Sequence, residues 1–280
     1  MTHIPETTSF VSPFTPLFFP SDKSDGKEGC YIQTFSVTDK ILIQVIGGKE
    51  TDTVCQVWNI HDDIHLFQIN FQTWEINSDI VLRFASIMLP PGIYFVSFNG
   101  LRSAPFQITD NTGILDNTTL IQYSMNSNRH RKDVVFFIDG MQHFFDFRVP
   151  GGFKDCKWTF GIENEQFVTD ESDIVQLYGL ESTQKKFTLG NSEGCPVWFG
   201  EMLNRILCCT YVYFDGERYA RKESSVPEMT ILQEGLNSFV FDIQLQKVNH
   251  LDPMIETRNR LCFRRGGDAL RSIDTCYRKI

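Results

Sequence analysis

The stretch Gly190–Met229, GNSEGCPVWFGEMLNRILCCTYVYFDGERYARKESSVPEM, decides the fold because it holds the strongest helix signal in a chain of strands and turns. Pro196 suits a first helical turn, where a missing N–H costs little. The apolar residues after it recur at spacings that place them on one helical face: Phe199, Met202, Leu203, Ile206 and Leu207. We therefore predict a helix over about 196–208. It must pack on a sheet, since a helix this short is not stable alone in water.

A hairpin is predicted directly after this helix. Asp215-Gly216 separates two short alternating runs, and Asp-Gly is a strong signal for a two-residue hairpin turn. We expect the helix and this hairpin to anchor the second of two domains. The exposed face of the hairpin is expected to offer a neighbouring molecule four charged side chains: Glu217, Arg218, Arg221 and Lys222.

Length and composition indicate a two-domain globular protein. The chain has 280 residues, of which 41% are hydrophobic and 13% aromatic, and aromatic residues favour strands. The formal net charge of −9 argues against a body that wraps nucleic acid, and no apolar run is long enough to span a membrane. The first residues lack the features of a signal peptide, so we expect reduced cysteines and synthesis in a cytosol.

The predicted fold class is mainly β, with two β-sandwich-like domains, the second of them α+β with one buried helix. Seven short strand signals between Cys30 and Asp110 predict an immunoglobulin-like or carbohydrate-binding-module-like sandwich over 27–112. A β-rich domain carrying the helix is expected over 113–250. Extended arms are expected at 1–26 and 251–280.

Within the second domain, alternating apolar residues predict several further strands. Asp139-Gly140 marks a hairpin turn between two of them. Four later signals are separated by polar or Gly-containing stretches and are interpreted as separate short strands: Cys156–Phe160, Gln166–Val168, Ile174–Tyr178 and Lys186–Leu189.

The segment 251–280 is basic, whereas the rest of the chain is acidic. It holds seven Lys and Arg residues against four acids, a net charge of +3, which leaves −12 for residues 1–250. Such an arm could dock on an acidic neighbour, for example another copy of the chain, or it could be a solvated tail. The sequence leaves both interpretations open.

One motif suggests catalysis. Gly190-Asn191-Ser192-Glu193-Gly194 matches G-x-S-x-G between a predicted strand and a predicted helix, which is the setting of a nucleophile elbow around Ser192. However, the chain lacks the alternating strands and helices of an α/β hydrolase, and His250 is the only histidine after the serine. A Gly-rich turn explains the motif more simply. No catalytic residue, cofactor-binding residue or metal ligand is predicted, and no cofactor is expected.

Two other patterns have simple structural explanations. His61-Asp62-Asp63-Ile64-His65 could bind zinc if it were helical, but it lies between two predicted strands and suits a polar hairpin loop. Trp58, Trp74, Trp158 and Trp198 could stack on sugars, although a Trp in an alternating strand is more often part of a core.

The chain resembles a known group of proteins in several segments. In the second domain these segments are Leu120–Ser124, Phe147–Phe153, Lys186–Gly190, Pro196–Asn204 and Cys209–Arg221, and in the first they are Pro91–Tyr94 and Ala104–Phe106. In style and spacing they resemble structural proteins of the tail or neck of tailed phages that infect Bacteroidetes, including crAss-like phages. The resemblance covers about residues 80–250 and rests on no catalytic motif.

This resemblance implies a non-enzymatic virion structural protein. Such a protein is expected to be a ring or hub component of a phage tail, made in the bacterial host cytoplasm. Its implied partners are further copies of itself and other tail or neck proteins, with no membrane and no sequence-specific nucleic acid. A glycan-binding β-sandwich module is the alternative, which would use Trp74 or Trp158. A serine hydrolase centred on Ser192 is the weaker alternative.

Overall fold

The computed structural model describes residues 9–11, 31–50, 54–60, 64–98, 101–103, 105–129, 134–190, 192, 194–222, 228–233 and 238–248. Over these residues the protein is mainly β, with several sheets and two short helices, so the predicted fold class is confirmed at this level.

The first part of the chain forms ten strands. Their bounds are β1 (Ser9–Val11), β2 (Gln33–Ser36), β3 (Ile41–Gly48), β4 (Cys55–Asn59), β5 (Ile64–Gln68), β6 (Gln72–Glu75), β7 (Ile80–Ile87), β8 (Gly92–Phe98), β9 (Leu101–Arg102) and β10 (Phe106–Thr109).

These strands form a two-sheet sandwich around one core. One sheet has the order β1-β3-β7-β6, and the other has the order β2-β10-β8-β4-β5, with β9 paired to β8. Ile43 and Val45 of β3 pack in the same buried cluster as Val57 and Val96 of the opposite sheet. The sandwich predicted for this part of the chain is confirmed.

The second part of the chain begins with a short helix and continues with nine strands and a second helix. Their bounds are α1 (Thr112–Leu115), β11 (Thr118–Ser124), β12 (Phe137–Ile138), β13 (Met141–Gln142), β14 (Phe145–Val168), β15 (Ile174–Leu189), α2 (Val197–Ile206), β16 (Tyr211–Phe214), β17 (Glu217–Arg221), β18 (Glu228–Gln233) and β19 (Ser238–Lys247).

Most of these strands form a sheet that closes on itself. Its order is β15-β14-β11-β16-β17-β19-β18, and β15 also pairs with β19, from Gln184 opposite Gln246 to Leu189 opposite Phe241. This pairing closes a barrel, with β18 added beside β19. The expectation of a second sandwich-like domain is therefore corrected. Inward–outward alternation is the same in a sandwich and in a barrel, and only the distant β15–β19 pairing distinguishes them.

Helix α2 packs into the barrel core, and its bounds agree with the helix predicted at 196–208. Phe199, Leu203 and Ile206 form its buried face, and the ring of Phe199 lies 5.4 Å from that of Phe147 on β14. Gly200 permits a close approach to β19, because a Cβ there would lie 2.7 Å from the ring of Phe241.

Buried polar contacts join the sandwich to the barrel. Arg148 of β14 donates two hydrogen bonds to the carboxylate of Asp39, at 2.6 and 2.8 Å, and Asp39 follows β2 of the sandwich. Nearby, the backbone N–H of Lys40 donates to Asp146 at 2.9 Å. Burial raises the pKa of the Asp146 carboxyl. The two parts of the protein therefore meet through specific, charge-assisted hydrogen bonds.

Only a small part of the predicted arms falls within the described residues. Ser9–Val11 pairs antiparallel with β3 of the sandwich, with Phe10 opposite Val45. The rest of the arm 1–26 and all of 251–280 lie outside the described residues. In the part of the chain that is described, neither helix is long and apolar enough to cross a membrane.

Candidate subunit interface

Strands β14 and β15 form a hairpin that extends beyond the barrel. At its base, β14 pairs with β11, and β15 pairs with β19 only from Gln184 onward. From Phe160 opposite Thr183 to Val168 opposite Ile174, the two strands pair with each other and with no other described strand. We call residues 158–185 the hairpin extension. The four separate strands predicted here are corrected, because they belong to this single hairpin.

The turn at the tip of the hairpin extension is defined by its own hydrogen bonds. The backbone N–H of Thr169 donates to the carbonyl of Asp173 at 2.9 Å, and the N–H of Asp173 donates to the Thr169 hydroxyl at 3.1 Å. Ser172 has a φ of +65°, in the left-handed region. The ribbon therefore ends in a hydrogen-bonded turn rather than in an open loop.

One face of the hairpin extension carries a row of exposed apolar side chains. Trp158, Phe160 and Ile162 alternate along β14 and share a face. They are 41%, 74% and 71% exposed. We call these three residues the apolar row. Neither hydrophobic core includes any of them, and Phe160 and Ile162 are the most exposed of the three, since Lys185 lies over the ring of Trp158.

Further exposed apolar side chains lie near the tip on both faces of the ribbon. Asn164 and Gln166 separate Val168 from the apolar row on one face, and Phe167 lies on the other face. The side chains there are all more than half exposed: Phe167, Val168, Ile174 and Leu177. Single exposed apolar residues are normal, but a high density of them on one element indicates an interaction site. The concentration of these residues on the ribbon identifies it as the strongest candidate interface on the described surface.

Both long edges of the hairpin extension lack a described strand neighbour. No described strand pairs with the outer edge of β14 between Trp158 and Val168, or with that of β15 between Ile174 and Thr183. An exposed, apolar strand edge is a template for another strand. The ribbon thus combines an apolar face with backbone edges that can add a strand.

A compact charged cluster fixes the base of the ribbon. Lys185 lies over the ring of Trp158, with its Nζ 4.0 Å from the ring centre, and is 3.9 Å from the carboxylate of Glu217. Glu217 also accepts hydrogen bonds from Lys247 at 2.8 Å and from the hydroxyl of Tyr219 at 2.9 Å. These contacts hold the first residues of the extension against the barrel.

The pKa values of this basal cluster follow from its hydrogen bonds. The bond from Lys247 is the main cause that lowers the pKa of Glu217. Burial is the main cause that raises the pKa of Tyr219, and the bond to Glu217 raises it further. Glu217 is therefore ionised and Tyr219 is neutral at neutral pH, and the cluster serves to hold structure.

The hairpin extension is strongly acidic. It has one basic residue, Lys185, against six acids: Glu163, Glu165, Asp170, Glu171, Asp173 and Glu181. Three of these acids lie in the tip turn, where they are exposed. The ribbon therefore presents an apolar face together with a concentration of negative charge at its tip.

The structure places Ser192 on an exposed turn between β15 and α2. Gly190 and Gly194 have φ values of +85° and +76°, and a Cβ at Gly190 would lie 2.9 Å from the carbonyl oxygen of Phe239. Backbone geometry thus explains both glycines of the motif. His250, the histidine considered as a partner of Ser192, lies outside the described residues.

The remaining candidate residues are dispersed over the protein. His61, Asp62 and Asp63 lie outside the described residues, between β4 and β5. His65 lies on β5 with its ring 5.4 Å from that of Trp58. Among the described residues, no three His, Cys, Asp or Glu side chains are grouped so that they could hold a metal ion.

The tryptophans form no common surface that could serve as a sugar-binding platform. Trp58 is half-buried and stacks on Phe95, and Trp198 is half-buried beside Phe199 at 4.3 Å. Trp74 is half-buried on β6, and Trp158 has Lys185 over its ring.

The four charged residues expected to face a neighbour are engaged within the chain. Arg218 donates to the carbonyl of Thr210, Arg221 donates to Asn204, and Lys222 donates to Gln244. Glu217 belongs to the basal cluster. These hydrogen bonds are exposed to solvent, so the availability of the four side chains to a neighbour stays a prediction.

The sequence interpretation missed the apolar row as a site. Its signal was present in the alternation of Trp158, Phe160 and Ile162, directly before a run of acids. Alternation alone does not tell whether a face meets a core or solvent.

No protein-family model matches the chain, and no curated protein sequence matches it. Among solved structures, it is similar to the one described as "Crystal structure of the ZIG-8 IG1 homodimer", with 10% identity over 32% of this chain and 89% of that chain, at a TM-score of 0.17. It is also similar to "Crystal structure of Dpr2 Ig1-Ig2 in complex with DIP-Theta Ig1-Ig3", with 8% identity over 80% and 90% of the two chains, at a TM-score of 0.18. Likenesses this weak carry no argument about function.

Proposed function

We propose that this chain is a non-enzymatic structural subunit of a virion that associates with further copies of itself. The observation that carries the proposal is the hairpin extension, whose apolar row is exposed on a ribbon that projects from a closed barrel. The specific assignment is a ring or hub component of a phage tail, which also docks other tail or neck proteins.

An apolar ribbon that stays in water carries a cost in free energy. A two-stranded hairpin is at best marginally stable on its own, and packing or a further strand is needed to stabilise it. Burial of a Phe or Ile side chain contributes roughly 1.5–3 kcal/mol each. Contact with a second copy would supply both apolar burial and strand partners, and a head-to-tail contact of this kind closes into a ring when the rotation permits.

The resemblance to tail and neck proteins of Bacteroidetes phages supports the particular setting. In that group, ring and hub proteins assemble without catalysis, and the described residues of this chain offer an interface more readily than an active site. The proposed location is the virion tail, after synthesis in the host cytoplasm. Mass spectrometry of purified phage particles should then find the chain at a fixed stoichiometry.

The self-association is tested by replacing the two most exposed residues of the apolar row without changing the net charge. We expect Phe160→Ser with Ile162→Ser to raise the concentration at half-assembly by about tenfold or more, because two apolar anchors are lost from each contact. Mass photometry over a dilution series measures the oligomer, and negative-stain electron microscopy shows whether it is a ring.

The matched control replaces two apolar side chains that are exposed elsewhere. Met88 and Met141 are 77% and 61% exposed, outside the hairpin extension. Met88→Ser with Met141→Ser should leave assembly unchanged. A wild-type chain that stays monomeric at high concentration, or equal effects of the two double variants, would contradict the proposal.

A further inference from the structure

We propose that mild acid opens the contact between the sandwich and the barrel, and that protonation of His143 is the trigger. We call this contact the junction. His143 lies between β13 and β14 of the second part of the chain, and its ring meets a side chain of the sandwich. Every group involved belongs to a single chain, so this switch is independent of the proposed self-association.

The sandwich contributes one face of β3 and β7 to the junction. Leu42 of β3 packs in the buried cluster of the barrel. Gln44, two residues further along the same strand, exchanges two hydrogen bonds with the backbone of Val135. Its side-chain amide donates to the carbonyl at 2.8 Å, and its Oε1 accepts from the N–H at 3.0 Å. Phe84 of β7 lies directly opposite Gln44. The junction thus has a packed part beside its charge-assisted hydrogen bonds.

His143 spans the junction through its backbone and its ring. Its N–H donates to the carbonyl of Phe136 at 2.7 Å, and its carbonyl accepts from the hydroxyl of Ser124 on β11 at 2.8 Å. Its ring centre lies 5.7 Å from that of Phe84 on β7. These contact partners carry no charge. The backbone of His143 is therefore fixed to the barrel, while its imidazole lies against the sandwich.

The Nε2 atom of His143 is buried and has no hydrogen-bond partner among the described residues. A neutral imidazole can leave this nitrogen as a bare lone pair, with its proton on Nδ1. A protonated imidazole carries an N–H on both nitrogens, and so would place a donor without an acceptor inside the closed junction. A buried polar group without a partner is costly, and a buried unpaired charge costs more.

The charged groups of the junction do not offset this cost. Burial is the main cause that lowers the pKa of His143, and the positive charge of Lys40 lowers it further. Asp39 and Arg148 bind each other, and Asp146 accepts from the backbone N–H of Lys40. The nearest charge that acts on the imidazole is thus a cation, which opposes protonation.

The direction of the pH response follows from the lowered pKa of His143. In the open junction the imidazole regains water and the ordinary histidine pKa of about 6.5, whereas in the closed junction it stays neutral to lower pH. Stability of the closed junction is therefore lost progressively as the pH falls below about 6.5. Asp146 acts in the opposite sense, because burial raises the pKa of its carboxyl.

The test follows two backbone amides that donate hydrogen bonds across the junction. The N–H of Lys40 donates to Asp146, and the N–H of Val135 donates to Gln44. Hydrogen–deuterium exchange measured by NMR, corrected for the intrinsic pH dependence of amide exchange, gives a protection factor for each. We expect both factors to fall roughly five- to tenfold from pH 7.5 to pH 5.5, since a group that binds its proton only in the open form shifts the equilibrium by about tenfold over this range. Amides of β8 in the sandwich and β16 in the barrel should keep their protection.

Two variants assign the response to His143. His143→Phe keeps a ring beside Phe84 and cannot be protonated, so its protection factors should change by less than about twofold over the same range. His143→Gln is a second uncharged variant, which serves if the phenyl ring disturbs the packing. The matched control is His65→Phe, which removes an exposed histidine from β5 of the sandwich and should leave the wild-type response unchanged.

Three outcomes would overturn the inference. Protection factors that are equal at pH 7.5 and pH 5.5 in wild type would show that the closed junction accepts the protonated ring. A full pH response in both His143→Phe and His143→Gln would assign it to another group. Equal losses of protection in β8 and β16 would show that acid unfolds the domains rather than opens the junction.

Discussion

At the scale of single residues, the ion pair between Asp39 and Arg148 is the contact most sensitive to change. Both side chains are nearly buried, at 1% and 11% exposure, and the pair joins the sandwich to the barrel. Asp39→Asn keeps the shape but leaves the Arg148 charge without its counterion. We expect a loss of about 3 kcal/mol in the free energy of unfolding, as found when one partner of a buried pair is removed. Urea denaturation at neutral pH measures it.

The control for this prediction is an exposed ion pair in the sandwich. Lys49 and Glu75 approach to 2.6 Å, but their side chains are 51% and 64% exposed. Exposed pairs contribute little, because solvent screens them. Lys49→Ala should therefore leave the urea midpoint nearly unchanged, and equal losses in the two variants would mean that burial does not decide the outcome. No sequence pattern indicates that Asp39 and Arg148 meet, since 109 residues separate them.

At the scale of elements, the packing of α2 on β19 depends on the missing side chain of Gly200. In an exposed helix, Gly→Ala would stabilise by up to about 1 kcal/mol. Here the added Cβ would come 2.7 Å from the ring of Phe241, which is itself buried. Overpacking costs about 1–3 kcal/mol, so we expect Gly200→Ala to destabilise the protein by roughly 1 kcal/mol. Thermal unfolding monitored by circular dichroism measures the change in stability, and the substitution of the exposed Glu201 by Ala is the control. A rise in Tm for Gly200→Ala would show that the helix can shift away from β19.

The same elements show how far local sequence determines the fold. The apolar face of α2 and the Asp139-Gly140 and Asp215-Gly216 turns follow from neighbouring residues, and all were predictable; both turns have positive φ at each central residue. The sequence predicts separate strands in place of the hairpin extension because polar and Gly-containing stretches separate its apolar runs. Closure of the barrel depends on pairing β15 with β19, which lie far apart in sequence, and local periodicity carries no information about such contacts.

At the scale of the whole molecule, the hairpin extension is expected to be separable from the fold. Its side chains contribute to neither buried core, whereas Phe153 and Phe187 at its base pack within the barrel. Replacing residues 159–184 by Asn-Gly would keep the Trp158–Lys185 pair and close it with a two-residue turn. We expect this variant to unfold cooperatively, with a Tm within a few degrees of wild type, and to be monomeric at concentrations where wild type assembles.

The two readouts of this deletion variant separate structure from assembly. Circular dichroism reports the barrel, and mass photometry reports the oligomer. Loss of cooperative unfolding would mean that the ribbon helps to hold β14 and β15 in the closed sheet. Retention of the wild-type oligomer would place the contact between copies on another surface, such as the sandwich. A folded monomer is the expected outcome, because the barrel closes where Gln184–Leu189 of β15 pairs with Phe241–Gln246 of β19. The replacement of residues 159–184 removes only Gln184 from this pairing, at its outer end.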